Sequence, residues 1–230
     1  MNKARAKFLK SKPVKRINSK IKRINNVFDI MHDKKLVGIS LGRYVPSTHR
    51  EDMGATGSES TPYFTLRKIF DGESFSEDDI FADVGCGKGR VLAYMAAEFG
   101  FKGKLRGIEL NDEVAQIAKS WSEQFDNIEI ISGDAFKQDL SDITVLYLHR
   151  PFETEFFKKF INKFESEINH PVRLYYWVDQ QSGGYLRNRD GWTMEKRMVL
   201  FKNHGLPAFV VPQGFSKWIY TPNVKEDNNG

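Results

Sequence analysis

A glycine-rich turn at residues 81–90 has the residue types and the spacing of a ligand-binding site. An apolar, strand-like run ends in Asp83, three alternate glycines follow at Gly85, Gly87 and Gly89, and a helical pattern begins directly after them. Glycines at such a turn let a ligand lie against bare backbone, with the N–H groups of the helix directed at its negative end. The turn therefore predicts a site for a ligand that carries a negative group.

Two more acids follow strand-like runs further along the chain. Glu109 comes 24 residues after Gly85 and can accept hydrogen bonds from both hydroxyls of a ribose. Asp134 follows the third run, where it can accept from the amino group of an adenine, with Ala135 beside the ring. A single acid at a strand end is explained by turn or cap chemistry. Three of them in chain order predict a site for an adenosine-containing ligand.

The position of Arg90 separates two adenosine cofactors. A dinucleotide fingerprint has its third glycine where helix and strand pack closely, and that position is Arg90 here. S-adenosylmethionine has no phosphate but carries an ammonium, which suits Asp83, and a carboxylate, which suits the N–H groups of the helix. The turn therefore favours S-adenosylmethionine and methyl transfer. Glu109 alone does not decide, because a dinucleotide enzyme would use the same acid.

Residues 81–90, 107–110 and 133–135 resemble the first three motifs of the class I S-adenosylmethionine-dependent methyltransferases. The most specific part is the run Asp-Val-Gly-Cys-Gly-Lys-Gly at 83–89, which is also similar to protein-lysine methyltransferases whose glycine-rich loop ends in Gly-Arg. The resemblance implies a seven-stranded, Rossmann-like fold and S-adenosylhomocysteine as product, with Glu59, Thr61 and Tyr63 over the cofactor. The cofactor site that it implies consists of Tyr63, Asp83, Gly85, Cys86, Gly87, Gly89, Glu109, Leu110, Asp134 and Ala135.

A fourth segment, residues 147–152, leaves a strand on the side that would face the transferred methyl group. Relatives that methylate amino groups have Asn or Asp before Pro-Pro-Tyr or Pro-Phe, whereas here Arg150 precedes a single Pro151. His149 is a candidate base for an acceptor hydroxyl, since histidine ordinarily titrates near neutrality, or it only hydrogen-bonds at the strand end. Arg150 either holds an anionic substrate or pairs with a nearby acid, and Pro151 predicts an extended conformation for it.

Strand and helix patterns alternate through the middle of the chain, which predicts an α/β fold. We expect a doubly wound, mostly parallel sheet with helices on both faces and an antiparallel C-terminal edge pair. Thr61 and Pro62 resemble an N-cap and a first helical residue. The predicted strands are 80–84, 104–109, 127–131, 143–149, 172–178, 192–202 and 209–221, and the predicted helices between them are 88–99, 112–125 and 153–168.

The N-terminal region differs from the rest of the chain in charge. Residues 1–28 hold ten Lys or Arg and no acid, which leaves 25 basic and 30 acidic residues elsewhere. Apolar residues spaced by three and four predict a helix with one apolar stripe: Val14, Ile17, Ile21, Ile24, Phe28 and Met31. We interpret it as a helix docked on its own domain. A dimer seam, an anionic membrane surface and RNA contact are the alternatives.

Composition limits the classes of protein. The sequence has no apolar run long enough for a membrane span and no metal-ligand spacing. Its single cysteine fits a reducing, cytoplasmic location. Cys86 is not predicted to be a nucleophile, because no base lies beside it in the sequence. We divide the chain into a basic arm and amphipathic helix (1–35), a Rossmann-like domain (36–222) and a flexible tail (223–230).

Three functions compete. The first is a methyltransferase that acts on O or N of an unidentified acceptor, which is a protein, an RNA or a small molecule. The second is a non-catalytic module that binds nucleic acid or an acidic partner through residues 1–28. The third is a nicotinamide-dependent oxidoreductase, against which Arg90 counts. The sequence leaves the oligomeric state open.

Overall fold

The strands form one seven-stranded sheet. A computed structural model describes residues 8, 11–180, 182–200 and 213–223. The strands are β1 (Ile80–Val84), β2 (Lys104–Glu109), β3 (Ile128–Ser132), β4 (Val145–His149), β5 (Val172–Trp177), β6 (Trp192–Leu200) and β7 (Gln213–Tyr220). Their order is β3-β2-β1-β4-β5-β7-β6. Strands β1 to β5 are parallel, whereas β7 is antiparallel to both β5 and β6.

Helices cover both faces of the sheet. They are α1 (Lys12–Val37), α2 (Arg50–Met53), α3 (Tyr63–Ile69), α4 (Arg90–Tyr94), α5 (Asp112–Ser122) and α6 (Thr154–Glu167). Helices α3 and α4 pack in a core with Phe81 and Tyr147, while α6 contributes its phenylalanines to a second core with Leu146 and Leu148. The two cores alternate along β4 because neighbouring side chains in a strand point to opposite faces. This arrangement confirms the predicted doubly wound sheet and its antiparallel C-terminal pair.

The predicted element boundaries hold closely in the middle of the chain. Strands β1 and β2 begin and end at the predicted residues, whereas β4 begins two residues late because the Ile143 N–H donates to Leu140 O in a turn. Thr61 as the N-cap of α3 is wrong, since that cap is Pro62. Residues 201–202 and 209–212 of the predicted C-terminal strands, and all but the first residue of the predicted tail, lie outside the described residues. No helix of the described part of the chain is long and apolar enough to cross a membrane.

The apolar stripe of α1 faces solvent. Val14 is buried, but Ile24, Phe28 and Met31 are 57%, 61% and 63% exposed. The helix is docked on its own domain, as predicted, but the stripe is not the docking surface. The helix ends at Gly38, whose left-handed conformation caps it.

A buried ion pair sets the orientation of α1 instead. Arg90, at the start of α4, donates from Nε to Asp33 Oδ1 at 2.8 Å and from Nη2 to Asp33 Oδ2 at 2.7 Å. Asp33 also accepts from the Tyr63 hydroxyl at 2.8 Å and from the Leu41 N–H at 2.8 Å. Burial disfavours the charge of Arg90, but the hydrogen bonds to Asp33 outweigh it and raise the pKa of Arg90. This pair turns the acidic side of α1 inward and the stripe outward.

We expect Asp33→Ala to lower the free energy of unfolding by about 3–5 kcal/mol, because it leaves a buried guanidinium without its partner. Urea denaturation at neutral pH measures the change. Glu155→Ala is the matched control, since Glu155 pairs with Lys158 at an exposed site and should matter by at most about 1 kcal/mol. A loss below about 1 kcal/mol in Asp33→Ala would contradict the role given to this pair.

Candidate functional site

The glycine turn after β1 has the conformation that its sequence requires. Gly85, Gly87 and Gly89 have φ of +76°, +59° and +82°, a region that other residues rarely adopt. A Cβ at Gly87 would lie 2.3 Å from Ser58 Oγ, and one at Gly89 would lie 2.6 Å from the Trp121 ring. The turn is thus held between α5 and the segment that precedes α3.

A cavity opens at the carboxyl ends of the central strands. It lies beside β1, where the strand order reverses, which is the usual ligand position in such sheets. Its lining includes six predicted site residues: Gly85, Glu109, Leu110, Asp134, Ala135 and His149. The other six predicted residues are outside the lining: Tyr63, Asp83, Cys86, Gly87, Gly89 and Arg150.

A strap, residues 45–59, closes one side of this cavity. The strap pairs with itself through Val45 and Ser58 and with the chain after β4 through Ala55 and Phe152. It contributes six residues to the lining: Met53, Ala55, Thr56, Gly57, Ser58 and Glu59. Of these, only Glu59 was expected over the cofactor from sequence. Contacts between segments so far apart leave no local pattern that could have identified the others.

Glu109 is buried at the edge of the cavity and held by backbone donors. The N–H of Gly87 donates to its Oε2 at 2.8 Å, and the N–H of Asn111 donates to its Oε1 at 2.9 Å. Burial raises the pKa of Glu109, and these backbone donors oppose the rise. The carboxylate therefore joins the turn after β1 to the end of β2, with its oxygens fixed in the cavity wall.

Asp83 lies on β1, two residues before Gly85, and is 2% exposed. Its Oδ2 has no hydrogen-bond partner among the described residues. Burial, together with the nearby charge of Glu109, raises the pKa of Asp83 well above its ordinary value. A buried carboxyl of this kind is stabilised by a cation, so the site suits a ligand with a positively charged group beside the glycine turn.

Asp134 lies at the end of β3 and has a cap role as well as a place in the cavity wall. Its Oδ1 accepts from the Phe136 N–H at 2.9 Å, at the start of a short 3₁₀ turn. Phe136 and Phe152 pack with ring centroids 5.5 Å apart and give the cavity an apolar wall next to Ala135. Neither ring was among the predicted site residues, although Phe136 directly follows the motif at 133–135 and Phe152 is the last residue of the fourth segment.

His149 is the last residue of β4 and belongs to a buried chain of polar side chains. Thr61 Oγ1 lies 3.1 Å from His149 Nδ1 and 2.9 Å from the Tyr147 hydroxyl oxygen. Burial strongly raises the pKa of Tyr147, so this hydroxyl keeps its proton. Thr61 thus fixes the imidazole at the cavity wall. The sequence pattern predicted Thr61 as a helix N-cap, and the resemblance implied a place over the cofactor.

Arg150 adopts a left-handed conformation with φ of +43°, so the prediction of an extended residue before Pro151 is wrong. The strap provides the reason. Thr56 donates from Oγ1 to Arg150 O at 2.7 Å and from its N–H to Pro151 O at 3.0 Å. Val178, directly after β5, is left-handed as well, with φ of +60°. Strained residues therefore directly follow two adjacent strands, β4 and β5.

Two predicted residues have clear structural environments away from the cavity. Burial raises the pKa of the Cys86 thiol well above its ordinary value, which disfavours the reactive thiolate. The Tyr63 ring lies 5.2 Å from the Arg90 guanidinium carbon, and its hydroxyl binds Asp33. Among the described residues, no group of three or more His, Cys, Asp or Glu side chains could hold a metal ion.

Comparison with known proteins points to one fold. Residues 76–166 match a family described as a methyltransferase domain. A protein-lysine N-methyltransferase from Saccharolobus islandicus is 35% identical over 89 residues, which cover 37% of this chain. The match spans 55% of that relative, so it covers little more than half of its length.

Solved structures extend this likeness to most of the chain. An RNA methyltransferase from Salinibacter ruber, in complex with S-adenosyl-L-homocysteine, has a TM-score of 0.54 at 19% identity and covers 74% of this chain and 99% of that one. A methyltransferase from Pyrococcus furiosus has a TM-score of 0.56 at 14% identity, with coverages of 86% and 96%. The chain has the class I fold of S-adenosylmethionine-dependent methyltransferases, as predicted.

We expect Asp83→Asn to stabilise the ligand-free protein by about 1–2 kcal/mol at pH 8, because it removes a buried charge. The pKa of Asp83 is raised in the folded state, so the wild type loses stability as the pH rises above the ordinary aspartate value. The difference between the two proteins should therefore shrink towards pH 4, as urea denaturation at several pH values measures.

Asp142→Asn provides a control of opposite sign. The hydrogen bond from Arg106 lowers the pKa of Asp142, so its stabilising contribution is present at neutral pH and is lost as the pH falls. Asp142→Asn should slightly destabilise the protein at pH 8. An Asp83→Asn variant that follows this same trend would contradict the environment described for Asp83.

Proposed function

We propose that this protein is an S-adenosylmethionine-dependent methyltransferase that acts on an oxygen or nitrogen atom of its acceptor. One observation carries the proposal: Gly85 of the glycine turn and the acids Glu109 and Asp134 line one cavity at the strand ends, with Asp83 buried two residues before Gly85. The class I fold and the match of residues 76–166 support the same function.

The side chains of this site suit the parts of S-adenosylmethionine. Glu109, fixed by two backbone donors, would accept hydrogen bonds from the ribose hydroxyls. Asp134 and the apolar wall with Phe136 would hold the adenine. Asp83 would attract the ammonium and relieve its own buried charge, and the first N–H groups of α4 would attract the carboxylate. When bound, the cofactor supplies a methyl group activated by a sulfonium.

His149 is the residue of this chain that would receive a proton from the acceptor. With a proton on Nδ1, the imidazole donates to Thr61 Oγ1, which also accepts from the Tyr147 hydroxyl. That arrangement leaves a lone pair on Nε2, the atom that acts as a base. Because an imidazole can take a proton from a hydroxyl or an amine, the proposal covers O and N acceptors.

The relatives support different acceptors. The Saccharolobus islandicus relative is a protein-lysine N-methyltransferase and the Salinibacter ruber protein acts on RNA. We therefore propose a macromolecular acceptor, protein before RNA, since the protein-lysine relative is the more similar in sequence.

Arg90 disfavours a dinucleotide as the cofactor, because its buried pair with Asp33 occupies the place of the third glycine.

We expect calorimetry to give micromolar binding of S-adenosylmethionine and S-adenosylhomocysteine, on the order of −7 to −8 kcal/mol, and none of NAD. Glu109→Ala should weaken this binding by about 1.5–3 kcal/mol through loss of charge-assisted hydrogen bonds. Glu129→Ala is the matched control, because Glu129 is 64% exposed and pairs with Arg106 on β2. Unchanged affinity in Glu109→Ala would refute the ribose assignment, and NAD binding would refute the cofactor.

We expect His149→Ala to slow methyl transfer by about 10²–10⁴-fold while the affinity for S-adenosylmethionine stays within about twofold, because the base contributes only to the chemical step. Transfer is measured with methyl-labelled cofactor and cell extract as acceptor source, and protease or ribonuclease digestion identifies the labelled macromolecule.

His170→Ala is the control for this experiment, since His170 binds Ser141 O near the opposite ends of the strands. Thr61→Val should lower transfer as well and shift its pH profile, because the imidazole loses the partner of Nδ1. Full transfer in His149→Ala would contradict the role of His149 as base.

A further inference from the structure

Helix α1 presents an apolar strip to solvent. The strip, which comprises Ile17, Ile24, Val27, Phe28 and Met31, has exposures of 41–63%. Its members recur at helical spacing and therefore lie along one side of the helix. Contiguous apolar surface of this kind is uncommon on soluble monomers and marks an interaction site.

The same helix exposes cations and no anions. Its basic side chains include Lys12, Arg16, Lys20, Arg23 and Lys34, all of which are exposed. They lie beside the apolar strip on the helical projection. The two acids of the helix, Asp29 and Asp33, are buried at 8% and 0% exposure, and both lie within ion-pair distance of Arg90. The outward surface of α1 is therefore apolar and positively charged.

We propose that α1 binds an anionic lipid surface. The helix would lie in the plane of the membrane, with the apolar strip below the headgroups and the basic side chains at the lipid phosphates. Each cation near such a surface adds to the attraction, and burial of the apolar strip adds to it further. The C-terminal half of α1 is fixed to the body through Arg90 and Asp33, so binding would hold the catalytic domain at the membrane.

Charge and side-chain chemistry disfavour the other partners. A second copy of α1 would bring its own exposed cations against the same strip, and like charges repel across a dry seam. RNA would satisfy the cations but gain little from Ile17, Ile24, Val27 and Met31, since nucleic acids are bound through stacking on aromatic or guanidinium planes. An anionic bilayer complements both the charge and the aliphatic strip.

Vesicle flotation with the full chain tests the proposal. One set of vesicles contains roughly seven parts phosphatidylcholine to three parts phosphatidylglycerol, and the other contains phosphatidylcholine alone. The test variant is Ile24→Asn with Phe28→Asn, which keeps every charge. The control is Met194→Asn with Val199→Asn, which alters two exposed apolar residues on β6. Far-UV circular dichroism and urea denaturation verify that each variant is folded.

We expect binding to the anionic vesicles only, at least about tenfold weaker in the strip variant and unchanged in the β6 control. Failure of the wild type to float with anionic vesicles would overturn the proposal, as would a strip variant that binds them like the wild type. Two other results also overturn it: a concentration-dependent dimer that the strip variant abolishes, and retention of polyuridylate RNA in place of vesicle binding. None of these results depends on the methyltransferase activity.

Discussion

The buried pair between Arg90 and Asp33 is the interaction on which the other features depend. It lies directly after the glycine turn, so it joins the first residue of α4 to α1. A guanidinium in the interior is tolerated only with its charge paired, which fixes the rotation of α1. That rotation sends the strip with Phe28 outward and draws the Tyr63 hydroxyl to Asp33. One ion pair thus connects the glycine turn with the exposed surface of the N-terminal helix.

The cavity depends on a second set of contacts between segments that are distant in sequence. Glu109 joins the ends of β1 and β2 through the Gly87 N–H, while the strap reaches across to the chain after β4 through Thr56. The strap contacts hold Arg150 in a left-handed conformation. The parallel strands bring the acids to the carboxyl-end edge of the sheet, and these hydrogen bonds shape the cavity at that edge.

Local patterns predicted the sheet and its acids, and failed where a distant contact prevailed. Apolar runs predicted the ends of β1 and β2 correctly, and the position of Glu109 at a strand end predicted its place in the cavity wall. Periodicity predicted that the apolar face of α1 is buried, but that face is exposed. A buried ion pair outweighs the apolar pattern, because the helix contacts the body along only part of its length. Proline rules gave the wrong conformation for Arg150, since hydrogen bonds from Thr56 decide it. The role of Thr61 at His149 has no local signature.

The position of β7 governs the order in which the sheet is completed. Strand β7 separates β5 from β6, although β6 precedes it in the chain. While the chain is being synthesised, residues 192–200 lack their partner strand until residues 213–220 leave the ribosome. An unpaired strand edge is prone to association with other chains during that interval. The final strand thus completes the sheet, and shortening the chain from this end would leave β5 and β6 as open edges.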